Sequence, residues 1–97
     1  MKRNSGAKEI VKEEYRHSKG FEYKYCLTVK KSSKVASYNL PLYSIKVEMT
    51  ADGKHTEHEL TDIFADAGKA ITFFDEMVEN LVTPLDLPFI LEDKIMI

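Results

Sequence analysis

Residues 21–30 alternate strictly between two kinds of side chain, and this alternation limits the possible folds more than any other feature of the chain. Because successive side chains of a β-strand point to opposite faces, a period of two over ten residues predicts a half-buried strand. Aromatic and β-branched residues suit such a strand, so the apolar face should point inward. That face comprises Phe21, Tyr23, Tyr25, Leu27 and Val29.

Two later segments continue the pattern. Residues 42–49 place Tyr43, Ile45, Val47 and Met49 on one face and are predicted to form a second clear strand. Asp52-Gly53 follows, and glycine accepts the positive φ that a tight turn requires, so residues 54–60 should return antiparallel. The returning segment is highly charged and has a poor apolar face, which is typical of an edge strand.

Residues 9–17 fit either a strand or a helix. Ser18-Lys19-Gly20 forms a short turn that leads directly into the clear strand, so we favour a strand paired with residues 21–29. A first helix is the alternative. Between residues 30 and 41, serines, Asn39 and Pro41 break the alternation and predict a mobile loop.

The last third of the chain holds most of the aliphatic residues and predicts a helix from Ala67 to Val82. Asp66 is the predicted N-cap. Apolar residues recur at three- and four-residue spacing and form one stripe. Thr83-Pro84 should end this helix, since the residue before proline avoids the α region. A turn and a short helix from Pro88 to Met96 should follow.

These elements predict an α+β fold in which an antiparallel four-stranded meander sheet has one face covered by a C-terminal helix and a short terminal helix. The 97 residues suffice for one domain, which we place at residues 10–97 after a flexible N-terminal segment at residues 1–9.

Charge is distributed unevenly along the chain. Residues 1–34 carry a net charge of +6 and residues 35–97 carry −8. A basic strand pair folded against an acidic helix layer accounts for this division, and a polyanion-binding end is the alternative. The absence of a long apolar run excludes a membrane helix, and the single cysteine, Cys26, indicates a reducing cytoplasm. No secretory signal and no cofactor are expected.

The sequence contains no pattern that is typical of a catalytic or metal-binding motif. His55 and His58 are three residues apart in a predicted strand, so they point to opposite faces and cannot share an ion there. We interpret them as surface residues. Cys26 lacks an activating histidine nearby in sequence, and we expect no enzymatic activity.

The uncovered face of the sheet, or one of its edges, is therefore the expected functional surface. We predict a small protein-interaction or regulatory module whose partner is another protein or a second copy of the chain. The predicted interaction residues are Lys24, Cys26, Thr28, Lys30, Ser44, Lys46 and Phe73. Single-stranded nucleic-acid binding through the basic aromatic N-terminal half is the alternative, although the aromatic and basic residues lie on opposite faces.

Several segments together resemble a known family. They are IVKEEYRHSKGFEYKYCLTV, LYSIKVEM, LTDIFAD, LVTPLDL and LEDKI. The family is an uncharacterised group of small bacterial proteins, mostly clostridial, that is catalogued as a domain of unknown function. The resemblance covers residues 10–95 and implies a small cytoplasmic domain, with no activity attached.

Overall fold

The computed structural model describes residues 8–31 and 41–90, and it contains a four-stranded sheet followed by a helix. The elements are β1 (Glu9–Ser18), β2 (Phe21–Lys31), β3 (Pro41–Ala51), β4 (Lys54–Phe64) and α1 (Ala67–Glu79). The sheet is antiparallel in the order β1-β2-β3-β4, so each strand pairs with its neighbour in the chain. The predicted α+β meander is confirmed, and residues 9–17 form a strand.

Three of the predicted features extend beyond the described part of the chain. The N-terminal segment lies outside it at residues 1–7, and the loop at residues 32–40. The short helix predicted from Pro88 to Met96 is present as a helical turn at residues 87–90, and its remaining residues lie outside the described part.

Two-residue turns set the register of both outer hairpins. Lys19 and Gly20 have φ values of 53° and 84°, and Asp52 and Gly53 have φ values of 52° and 76°. Positive φ at both central residues is the type I′ geometry, whose twist matches that of paired strands. Glycine at the second position adopts this geometry without steric cost.

The core lies between α1 and one face of the sheet. α1 packs against β2, β3 and β4. Apolar residues of β2 and β3 oppose each other in register, as in the pairs Tyr25–Val47 and Leu27–Ile45. The inward orientation of the predicted apolar face is confirmed for Tyr23, Tyr25 and Leu27, whereas Phe21 at the start of β2 is exposed. The buried apolar set is Tyr23, Tyr25, Leu27, Tyr43, Ile45, Val47, Ala70, Phe73, Phe74, Met77, Val78, Val82 and Leu87.

α1 begins where the sequence predicts and ends three residues earlier. The Asp66 side chain accepts a hydrogen bond from the backbone N–H of Lys69 at 3.2 Å, which confirms the N-cap. The helix was predicted to reach Val82, but its last residue is Glu79. None of the helices in the described part of the chain is long and apolar enough to cross a membrane.

A Schellman motif explains the early end of α1. Leu81 adopts a φ of 51°, the backbone N–H of Val82 bonds to the carbonyl of Met77 at 3.1 Å, and that of Leu81 bonds to Val78 at 3.2 Å. The left-handed position of this motif usually holds glycine, so a leucine there gave no stop signal in the sequence. A turn follows, because Asp86 N–H donates to the Thr83 carbonyl at 3.1 Å, as predicted around Pro84.

β4 is an edge strand, as predicted, and continues four residues beyond its predicted end. The register shifts between the pairs Ile45–Leu60 and Tyr43–Phe64, so that residues 61–63 face the single residue Ser44. Asp62 at the centre of this irregularity has a φ of 55°. The backbone N–H of Asp62 donates to the Ser44 hydroxyl at 3.0 Å, which satisfies a donor that the ladder leaves unpaired.

Candidate functional site

The sheet face that points away from α1, here called the open face, carries six of the seven predicted interaction residues. Cys26 stands opposite Lys46 and Thr28 stands opposite Ser44 in the β2–β3 register. Alternation places Lys24 and Lys30 on the same face of β2. The structure thus brings Lys24, Cys26, Thr28, Lys30, Ser44 and Lys46 together.

Two of the predicted residues are inaccessible. Phe73 lies on the helix side with 4% of its surface exposed, and its ring packs edge-on against Phe64 at a centroid distance of 5.5 Å. The prediction that Phe73 belongs to a surface patch is therefore wrong, because β4 extends far enough to bring Phe64 over it. Ser44 is on the open face but 1% exposed, and its hydroxyl accepts the hydrogen bond from Asp62.

Opposite charges cover much of the open face. Lys24 Nζ lies 3.6 Å from Glu13 Oε2, and Lys30 Nζ lies 3.5 Å from Asp62 Oδ2. These side chains are partly exposed, so solvent screens each pair and each adds little stability. They do give the open face a mixed polar surface in place of an apolar one.

Cys26 is half-buried on this face. Burial raises the pKa of its thiol above the ordinary value, and the nearby Glu13 carboxylate raises it further. A raised pKa keeps the thiol protonated at neutral pH, whereas the thiolate is the nucleophilic form. The environment of Cys26 therefore disfavours nucleophilic chemistry.

His55 and His58 point to opposite faces, since they stand opposite Thr50 and Val47 respectively. On the open face, His55 Nε2 lies 2.9 Å from Glu57 Oε1 and 3.4 Å from Glu48 Oε1. The hydrogen bond with His55, together with the Lys46 charge, lowers the pKa of Glu57. Glu48 belongs to β3, so the sequence of β4 alone does not indicate that it lies beside His55.

β1 forms the other edge of the sheet and was not singled out in the sequence. Ile10 and Tyr15 are each 62% exposed, and Val11 is also exposed. The β1 register places Glu13 opposite Cys26 and Glu14 opposite Tyr25, so the side facing α1 is polar. The sequence did not indicate this edge. The bulge between Ile10 and Lys12 gives the exposed apolar side chains an irregular spacing, and charged residues stand between them.

Of the three β2 aromatic side chains that the nucleic-acid alternative requires, Tyr23 and Tyr25 are covered and Phe21 is exposed. Tyr25 is fully buried and Tyr23 nearly so, with their rings stacked at 6.1 Å between the sheet and α1. Stacking of bases requires open aromatic faces beside basic groups. On β1, Tyr15 lies beside a lysine, with Lys24 Nζ 5.8 Å from its ring centroid. The geometry of β2 therefore offers no stacking platform.

Comparison with protein families matches residues 1–96 to a family of unknown function (DUF6514). The chain belongs to this family. The match spans the whole described sheet and α1, so the segments that carried the resemblance are parts of one family fold. No curated protein and no solved structure matches the chain.

Proposed function

We propose that the chain is a small, non-enzymatic protein-interaction module of the cytoplasm and that its partner is a second copy of itself, paired through β1. The proposal rests on one observation: residues 12–18 of β1 are self-complementary when they run antiparallel about Tyr15. The same edge strand is exposed and has no strand on its outer side among the described residues.

The register centred on Tyr15 pairs the unlike charges of Glu14 and Arg16 and sets no like charges against each other. Tyr15 meets Tyr15 of the second copy at the two-fold axis, and Glu14 meets Arg16 on both sides of it. Glu13 meets His17 one step further out. Directly opposed residues of an antiparallel pair share a face, and unlike charges or aromatic pairs there stabilise the pairing.

Neighbouring registers are less favourable. Centring the pair on Glu14 places glutamates face to face and brings Lys12 opposite Arg16. Like charges directly opposite each other destabilise a ladder. Charge therefore selects the Tyr15 register, in which Arg16 exchanges its intrachain partner Glu14, 3.2 Å away, for the same residue of the other copy.

Pairing of this kind is isologous and closes after two copies. It joins two four-stranded sheets into one continuous eight-stranded sheet. Backbone hydrogen bonds supply most of the affinity in strand addition, and side chains select the register. The β4 edge is less suited to pairing, because the irregularity at residues 61–63 disrupts its ladder.

A charge-exchange series tests the proposal. The molecular mass of the untagged chain is measured by sedimentation equilibrium over a range of concentrations, and we expect a dimer. Glu14→Lys sets like charges against Arg16 at two symmetric positions and should weaken association about tenfold. Adding Arg16→Glu restores unlike pairs in the reversed order and should recover the dimer.

Glu59→Lys is the matched control, because it makes the same charge reversal at an exposed site of the opposite edge strand. Its association should equal that of the wild type. A wild-type chain that stays monomeric at high concentration would overturn the proposal. So would a double variant that associates no better than Glu14→Lys.

A further inference from the structure

The β3–β4 hairpin places two carboxylates directly opposite each other on the open face. Glu48 and Glu57 are register partners, and like charges in such a position repel. His55 lies beside them on the same face of β4. One ligand atom from each of Glu48, His55 and Glu57 can lie within 4.8 Å of the others. A positive charge placed among the three side chains would offset the repulsion between the carboxylates.

The distances match those in the first coordination shell of a small divalent cation. Zinc binds imidazole nitrogen and carboxylate oxygen at about 2.0–2.2 Å, so donor atoms of a tetrahedral shell are about 3.3 Å apart. His55 Nε2 is 2.9 Å from Glu57 Oε1 and 3.4 Å from Glu48 Oε1. An ion can therefore contact all three side chains after small side-chain movements.

A second contact orients the imidazole for this role. His55 Nδ1 lies 3.1 Å from Thr50 Oγ1, its register partner on β3. When an ion displaces the Nε2 proton, Nδ1–H donates to this hydroxyl and the Nε2 lone pair faces the space between the carboxylates. Histidine ligands of metals characteristically hold their other ring nitrogen in such a hydrogen bond.

We propose that Glu48, His55 and Glu57 form a binding site for a divalent first-row transition-metal ion, with Zn²⁺ as the ion to test. Water completes the shell, because His55 and Glu57 are exposed. One nitrogen and two oxygen donors suit zinc among such ions. The site is independent of dimer formation, because it lies at the β4 edge and the proposed interface lies at β1.

Lys46 competes with the ion. Its Nζ lies 3.6 Å from Glu57 Oε2 and 4.0 Å from Glu48 Oε2, so it partly neutralises both carboxylates in the absence of metal. An ammonium group this close also repels a divalent cation. Removal of the Lys46 charge should therefore tighten metal binding, which is an unusual effect for a surface substitution.

The test uses the untagged, metal-stripped full chain titrated with Zn²⁺ at pH 7 by calorimetry. We expect one ion per chain, with perturbation of the His55 ring signals in NMR spectra. His55→Ala should weaken binding at least about tenfold, and Thr50→Val about tenfold through loss of orientation. Lys46→Gln should tighten binding about fivefold, as expected for removal of a nearby like charge.

His58→Ala is the control, because His58 lies on the same strand with its side chain on the other face. It should leave zinc binding unchanged. Absence of saturable binding would overturn the proposal, as would equal losses in the His55 and His58 variants. Unaltered affinity in Lys46→Gln would also overturn it, since the ion would then lie elsewhere. Circular dichroism of each variant establishes that the fold is retained.

Discussion

At the scale of single residues, Tyr25 connects the sheet to the end of the helix. Its hydroxyl donates a hydrogen bond of 2.9 Å to the backbone carbonyl of Val82, and the side chain is fully buried. Val82 follows Leu81, whose left-handed conformation turns the chain back over the sheet. The phenol therefore anchors the segment that leaves α1, and it supplies a partner for a carbonyl beyond the end of the helix.

The first prediction concerns this hydroxyl at high pH. Burial raises the pKa of Tyr25 well above its ordinary value near 10. In the unfolded chain the phenol ionises near pH 10, while in the folded chain it stays protonated to higher pH. The folded state is thus fully stabilised below pH 10 and loses this contribution as pH rises beyond it.

Tyr25→Phe should remove that dependence. The free energy of unfolding, measured with urea at pH 9 and pH 11, should fall less in the variant than in the wild type. At pH 7 the variant should be about 1–3 kcal/mol less stable, because the Val82 carbonyl loses its partner. If both proteins lost the same free energy of unfolding between pH 9 and pH 11, the assignment of this pH dependence to the Tyr25 hydroxyl would be wrong.

At the scale of elements, strand positions could be predicted and irregular backbone could not. Strict alternation fixed the faces of β2 and β3, and Gly20 and Gly53 marked their turns. Leu81 and Asp62 also adopt positive φ, but the residue type at these two positions does not predict that conformation. Side-chain length and charge do not encode these conformations; tertiary contacts impose them. The end of α1 and the extension of β4 were missed for this reason.

A pair of substitutions at Leu81 tests the helix end. Leu81→Gly and Leu81→Ala both remove the side chain, but only alanine keeps a Cβ at a φ of 51°. Left-handed backbone costs about 1–2 kcal/mol for a non-glycine residue, so the glycine variant should be more stable than the alanine variant by about 1 kcal/mol. Chemical denaturation of both variants measures the difference.

The opposite sign would contradict the Schellman motif. If α1 continued to Val82, position 81 would be helical, and alanine would exceed glycine by about 1 kcal/mol. The comparison therefore distinguishes the predicted helix from the observed one. The start of α1 needs no such test, because the hydrogen bond from Lys69 N–H to the Asp66 side chain lies at the predicted N-cap.

At the scale of the molecule, one apolar layer between α1 and the sheet holds the fold together. Phe74 from the helix and Ile45 from β3 are both fully buried in this layer. Their burial was predictable, because period two in the strands and a three-to-four spacing in the helix each define an apolar stripe. The layer leaves the open face and the β1 edge to solvent.

Truncation within the layer should be costly. Phe74→Ala should reduce the free energy of unfolding by about 3–5 kcal/mol and Ile45→Ala by about 2–5 kcal/mol, through lost burial and the cavity that remains. Leu85→Ala is the control, because Leu85 is largely exposed and should change stability by about 0.5 kcal/mol or less. Wild-type melting temperatures for both core variants would contradict the core assignment.

The candidate sites were less predictable than the core. Alternation correctly grouped Lys24, Cys26 and Lys46 on one face, since side-chain direction follows from strand position. The approach of Glu48 to His55 depends on the register across the hairpin, which requires the exact turn. The accessibility of β1 depends on where α1 lies across the sheet, and no local pattern specifies that placement.

The order of the strands has a consequence for how the chain folds. Each strand neighbours the one before it in sequence, so the sheet can form by successive hairpin closures over short separations. Short hairpin connections close quickly. Folds in which strands pair with their neighbours in sequence also reach the native state faster than folds with distant pairings. The Tyr25–Val82 contact, 57 residues apart, closes the longest loop among the hydrogen bonds described within the core. Docking of the helix end should therefore be the slow event, and the sheet should be the template on which it occurs.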